Sequence, residues 1–230
     1  TTIKVDGEKL AKKLESEGLK AVVTIPVNTK SDVVVGELNA QMVKNMENKE
    51  AVLEVRTENV SYKIPAQQIN IDAVSEKIGQ NVALEDIKVQ VTILKSPEET
   101  IKVLENSAQK GSFGVIAAPV DFTIKGSYED KNIEVNKFNA YVERLIAIPD
   151  GVDPNKITTG IAMEADGTVR HIPTQVIIID GKYYAKINSL TNSTYSVVWH
   201  PLEFTDAANH WGKDAINDMG SRMVITGGAD

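Results

Sequence analysis

Along the first half of the chain, apolar positions switch repeatedly between the spacing of helices and that of strands. Asp6 precedes a run in which Leu10 and Leu14 share a helical face, and Gly18 is placed to end it. Ala21 to Val27 reads as a buried strand. Leu38, Met42, Val43 and Met46 recur at helical spacing, and Ala51 to Val55 returns to a strand pattern. Ser61 to Ile64 predicts another short strand, stopped by Pro65. Ile71, Val74 and Ile78 give an apolar helix face ending at Gly79, and Ile87 to Val91 alternates with period two. Ser96-Pro97-Glu98-Glu99 has the form of a capping box. It predicts a helix with Ile101, Leu104 and Ala108 on its buried stripe and Gly111 at its end. The expectation for residues 1–112 is an α+β domain.

The pattern changes at about Phe113. Val120 to Ile124 and Ile133 to Val135 alternate cleanly, and from Tyr141 onward nearly everything reads as strand and turn. Asp166-Gly167 and Asp180-Gly181 are tight-hairpin signals, because glycine accepts the positive φ that such turns demand. Val176 to Ile179, Tyr183 to Ile187 and Tyr195 to Trp199 are expected to follow one another as a meander. Strands at this spacing, without intervening helices, predict a mostly antiparallel, sandwich-like β domain over 113–203. After Pro201 a helical run returns, with Trp211, Ala215, Ile216 and Met219 on one face and Gly220 where a helix would stop. The fold class expected is therefore α+β: an α+β domain, a sandwich-like β domain and a short helical C-terminal tail.

Composition narrows the function. The 230 residues carry a formal charge of −7, which argues against a nucleic-acid binder. The apolar runs are strand-sized, far below the ~20 residues of a membrane span. The chain has no cysteine, which excludes thiolate catalysis, iron–sulfur clusters and Cys-based zinc sites. That absence also fits a protein that meets oxidants outside the cell without using disulfides. The sequence starts at Thr1 with neither Met nor a signal peptide, and is expected to be processed or cut from a longer chain.

The tail carries the most specific pattern. Phe204-x-Asp206, His210-Trp211, Ile216, Gly220 and Ile225-Thr226-Gly227 resemble the first half of an S-layer homology repeat. Two earlier segments, Tyr141 to Arg144 with Ile148 to Pro154, and Asn188 to Val197, resemble the β-rich region that precedes such repeats. The resemblance implies an extracellular protein of the Gram-positive cell surface, anchored non-covalently to a cell-wall secondary polymer through repeats usually present in threes. It implies structural roles for Phe204, Asp206, His210, Trp211, Ile216, Gly220 and Gly227, with Phe204 and Trp211 in the repeat's core. The Thr-Arg-Ala-Glu type of motif that carries most sugar recognition in the family is expected beyond Asp230. Residues 204–230 are thus expected to be the truncated start of a repeat. Self-association is left open.

The other candidates each have a plainer explanation. His171, His200 and His210 form no His-x-x-x-His pair, so a metal site would need distant partners. Asp150-Gly151-Val152-Asp153 offers oxygens but lacks the further spaced carboxylates of a calcium loop, and a turn explains it. Glu98, Glu99, Glu143 and Asp121 are acidic, yet sequence cannot pair them as a hydrolase requires. Gly227-Gly228 is followed by only two residues, too few for the helix of a phosphate cradle. Asn59-Val60-Ser61 and Asn192-Ser193-Thr194 are glycosylation sequons of a kind common by chance. Tyr183, Tyr184, Tyr195 and Trp199 lie in neighbouring predicted strands, where core packing and cross-strand pairing compete with a sugar platform. No catalytic, cofactor-binding or metal residue is assigned. The function expected is a non-catalytic spacer with a wall-anchoring start. Its rivals are a carbohydrate-binding or adhesive module and, further behind, a polysaccharide hydrolase.

Overall fold

A computed structural model describes residues 1–79 and 81–227 of the chain. In chain order the elements are β1 (Thr2–Lys4), α1 (Gly7–Glu17), β2 (Val22–Pro26), β3 (Val33–Asn39), α2 (Ala40–Asn48), β4 (Val52–Arg56) and β5 (Val60–Pro65). Then come α3 (Ile71–Ile78), β6 (Lys88–Lys95), α4 (Glu98–Gly111), β7 (Gly114–Tyr128), β8 (Lys131–Glu134) and β9 (Lys137–Ala147). The last are β10 (Thr159–Met163), β11 (Val169–Ile172), β12 (Thr174–Ile179), β13 (Lys182–Thr191), β14 (Thr194–Trp199) and α5 (Lys213–Ser221). Of the described residues, strand holds 42% and helix, short 3-10 turns included, 27%, so the fold is mixed and mostly sheet. No helix among the described residues is long and apolar enough to cross a membrane.

The chain divides into two compact units, each assembled from separate stretches. Unit 1 comprises Thr1–Lys95, Val120–Leu145 and Asn188–Ser193; unit 2 comprises Ser96–Pro119, Ile146–Ile187 and Thr194–Asp230. The change of character expected at Phe113 therefore falls inside a stretch of unit 2.

In unit 1 the strands run in the order β1-β3-β6-β7, with β8 on β7, and β9-β5-β4-β2. The β1–β3 and β2–β4 pairs are parallel; β3–β6, β4–β5, β6–β7 and β7–β8 are antiparallel. The two layers face each other closely. A Cβ on Gly36 of β3 would sit 2.8 Å from Ile25 Cδ1 and 3.0 Å from Val55 Cγ2, so any larger residue at that crossing would have to displace those side chains. Helix α1 forms as its caps dictate: Asp6 Oδ1 accepts the Lys9 N–H at 3.0 Å, and Gly18 leaves the helix at φ 74°. The helical spacing from Leu38 is real only from Ala40. Leu38 itself lies in β3, a strand built on Val33-Val34-Val35, and Asn39 Oδ1 caps α2 by accepting the Met42 N–H. Helix α3 has no cap on its own Asn70, and Glu47 of α2 accepts the Ile71 N–H at 2.8 Å instead.

Unit 2 holds β7-β14-β10-β11 and the β12–β13 hairpin. The β10–β11, β10–β14 and β12–β13 pairs are all antiparallel. Its core joins Leu104 and Ala108 of α4 to Phe113, Ile161, Met163 and Val198. The capping box is a correction. Helix α4 begins at Glu98, Pro97 stands in the cap position at ψ 161°, and the first helical bond runs from the Ile101 N–H to the Pro97 carbonyl. Ser96 stands one residue before that cap position; it is buried, and its N–H donates to the Pro119 carbonyl. The helix closes with Ser112 at φ 54° after Gly111. The meander is also corrected. Asp180 and Gly181, at φ 51° and 79°, make the predicted tight turn, but the next strand, β14, pairs with β10 and not with the hairpin.

Candidate functional site: the C-terminal segment and the buried arginine

The tail is seated on unit 2 by a short polar and apolar seam. Ser221 Oγ accepts the Leu202 N–H at 2.9 Å and donates back to the Leu202 carbonyl at 3.2 Å. Asn217 Oδ1 accepts the Phe204 N–H at 2.9 Å. His200 Nδ1 lies 2.8 Å from the Ser221 carbonyl, an acceptor, so Nδ1 carries the proton. Met223 packs against the unit 2 core. Phe204 lies across two glycines: a Cβ on Gly220 would meet its ring at 2.3 Å, and one on Gly227 at 3.1 Å. Gly220 is thus a packing residue inside α5 and not its terminator.

The remaining tail positions point outward. Helix α5 begins at Lys213, so Trp211 precedes it in a turn and is 95% exposed. It therefore lies off the face assigned to it with Ala215, Ile216 and Met219. The His210 ring sits 5.3 Å from that of Trp211, and His210 Nδ1 accepts the Gly212 N–H. Ile216 is half-buried, Asp206 is exposed, and the buried residue of this turn is Ala207. Met219, Val224 and Ile225 are exposed large apolar side chains. Of the pair Gly227-Gly228, Gly228 lies outside the described residues, as do Ala229 and Asp230.

His171 lies beneath the same segment. Its Nδ1 is 2.8 Å from Thr159 Oγ1. Burial holds its pKa below the ordinary value, and the Arg222 guanidinium adds to this. A hydroxyl beside an imidazole is the chemistry of an activated nucleophile. Thr159 is completely buried, however, and its hydroxyl also meets the Ile172 and Gly160 carbonyls, so no substrate reaches it. Among the described residues no group of three or more His, Asp or Glu converges to hold a metal.

In unit 1 the structure brings together residues that sequence reasoning left apart. Arg144 is fully buried, stacked 4.9 Å from the Tyr62 ring and 5.3 Å from that of Phe122. Its guanidinium donates to the carbonyls of Val142 and Thr191 at 2.9 and 2.8 Å and to Asn192 Oδ1 at 2.8 Å. The Tyr62 hydroxyl donates to the same Asn192 oxygen, and Asn192 Nδ2 donates to the Val135 carbonyl at 2.9 Å. The two segments quoted above for the region before the repeats, Tyr141 to Arg144 and Asn188 to Val197, thus meet at one cation. The sequence held a signal: Arg144 shares strand parity with Val142 and Ile146, both buried.

The other candidates are accounted for locally. Asn192, of the second sequon, has its side chain engaged on both ends by this cluster, while Asn59 is exposed in a turn. Asp153 Oδ1 accepts from the backbone and side chain of Asn155, and Gly151 takes φ 81°, as a turn requires. Glu143 pairs with Lys63 at 3.2 Å. Of the aromatics, Tyr195 is core, whereas Tyr183 and Trp199 face outward, with Lys156 Nζ 5.3 Å from the Trp199 ring. No family model, curated protein or solved structure matches the chain.

Proposed function

We infer that this chain is a non-catalytic structural spacer of an extracellular cell-surface protein, leading into an anchor of the S-layer homology type. The anchor's complete repeats would hold the parent protein on a cell-wall secondary polymer. The reading rests on the tail, where Phe204, His210-Trp211, Gly220 and Gly227 combine a repeat-like pattern with a half-finished packing arrangement. One side of the segment is seated through Phe204 and Met223, while Trp211, Met219, Val224 and Ile225 stay exposed. Exposed apolar residues in such number fit a segment that a further module would cover. The finer architecture proposed is a helix-bearing α+β part followed by a mostly antiparallel sandwich. Packed sheets of this kind would hold a distal domain away from the wall.

The adhesive or carbohydrate-binding reading draws on one observation, the outward Trp199 and Tyr183. A glycan array separates the two. Residues 1–230 are expected to give no reproducible hit; a hit abolished by Trp199→Ala would transfer recognition to unit 2 and replace the spacer reading.

A further inference from the structure

We propose that β12 is a self-association edge, along which a second copy of the chain adds its own β12 antiparallel across a two-fold axis. The strand Thr174-Gln175-Val176-Ile177-Ile178-Ile179 ends its sheet, with β13 as its neighbour. It contains no charge and no proline, and Ile178 is 60% exposed with Ile179 exposed beside it. A strand of this composition at an edge is a template for pairing with another strand.

The other edges are blunted. In unit 1, β1 is three residues long and carries Lys4, β2 ends in Pro26, and β8 is bounded by Lys131 and Glu134. In unit 2, β11 is four residues long and bears Arg170. These are devices by which proteins prevent edge-to-edge pairing, and β12 has none of them.

The hairpin geometry fixes which backbone groups are on offer. With a two-residue turn at Asp180-Gly181, Ile179 and Lys182 form the first hydrogen-bonded pair, followed by Ile177 with Tyr184 and Gln175 with Lys186. The N–H and C=O groups of Val176 and Ile178, and of Thr174 at the strand's start, therefore point away from β13. A second β12 matches this pattern when the axis passes through Val176. Val176 then lies opposite Val176, Thr174 opposite Ile178, and Gln175 opposite Ile177. No charge meets its like within the strand, and Asp180, just past it, falls opposite Ile172. This neutrality favours a second copy over a charged partner, and the pairing is isologous, as two-fold contacts require. The proposal stands on strand order and sequence, not on the anchoring reading, so either can fail without the other.

Sedimentation equilibrium of the 230-residue chain, from micromolar to millimolar, tests it. The chain is expected to dimerise reversibly, and Ile178→Lys to weaken the dimer about tenfold or more, since an edge lysine opposes pairing. Because the chain has no cysteine, single substitutions then read the register. Val176→Cys should cross-link under mild oxidation, its Cα atoms lying about 5.5 Å apart across a hydrogen-bonded pair. Ile178→Cys, roughly 13 Å from its mate, should not. A chain that stays monomeric at millimolar concentration overturns the proposal. So does a dimer indifferent to Ile178→Lys, or one in which both cysteines cross-link equally. If Ile178→Lys proves unfolded by circular dichroism, the cysteine pair decides alone.

Discussion

Arg144 in unit 1 and Ser221 in unit 2 do comparable jobs by different means. Each ties strands or segments distant in sequence, but Arg144 is a fully buried cation between two rings, while Ser221 is a half-buried hydroxyl on one seam. The arginine reaches three separate acceptors with one planar group, a geometry lysine cannot copy. The serine makes a reciprocal bond with a single residue, Leu202. Unit 1 is therefore closed at this point whatever its surroundings, whereas the tail of unit 2 is held by a few modest contacts.

The largest test of that contrast is Arg144→Ala. It leaves Asn192 and two carbonyls without their charged donor and opens a void beside Tyr62 and Phe122. Unfolding in urea is expected to show a loss of about 3–5 kcal/mol. Arg144→Lys should recover little of it. A loss under about 1 kcal/mol would mean that the cluster relaxes freely.

Next comes Gly220→Ala, whose added methyl would overlap the Phe204 ring. A loss of about 1–3 kcal/mol is expected, confined to the tail, and visible as faster hydrogen exchange over 204–227. Combining it with Phe204→Ala should cost less than the sum of the two, because removing the ring removes the clash. Strict additivity would show that the two residues do not meet. Ser221→Ala should follow at about 1 kcal/mol, the usual net value of such a hydrogen bond, again read by exchange at Leu202 and neighbours.

The smallest effects are in pH, and the two units should respond with opposite sign. His171 in unit 2 is held below its ordinary value of 6.5 by burial and by Arg222. Its contribution is present above pH 6.5 and is lost as pH falls through the folded value, so acid weakens this unit. Glu47 in unit 1 is raised above 4.5 by burial, against the opposing bond from Ile71. Its contribution is full below pH 4.5 and is lost as pH rises through the folded value. His171→Gln should flatten the acid loss of stability, and Glu47→Gln should flatten the loss on the other side of its range. Equal slopes in each variant and the parent would remove these groups from the account.

Local signals suffice where cap and period agree. Asp6, Leu10, Leu14 and Gly18 specify α1 by themselves, and Asp180-Gly181 specifies its turn. The failures lie where a distant partner decides. Ser96 has the right neighbours for a capping box, but Pro119 holds its backbone. Strand β14 has the right spacing to extend the hairpin, yet its partner is β10. The tail's helical run is legible in the sequence, but its packing is not, because Gly220 and Gly227 make sense only once Phe204 lies across them. Arg144 was hidden for the same reason: alternation marks its face, while the rings and carbonyls that receive it come from β5, β7 and the end of β13.

The spacer-and-anchor reading is tested most directly by co-sedimentation with purified cell wall. Residues 1–230 are expected to stay in the supernatant, and a chain carrying three complete repeats is expected to pellet with the wall in a saturable way. Tight, saturable pelleting of residues 1–230 alone would contradict the account and move wall recognition into the β-rich unit.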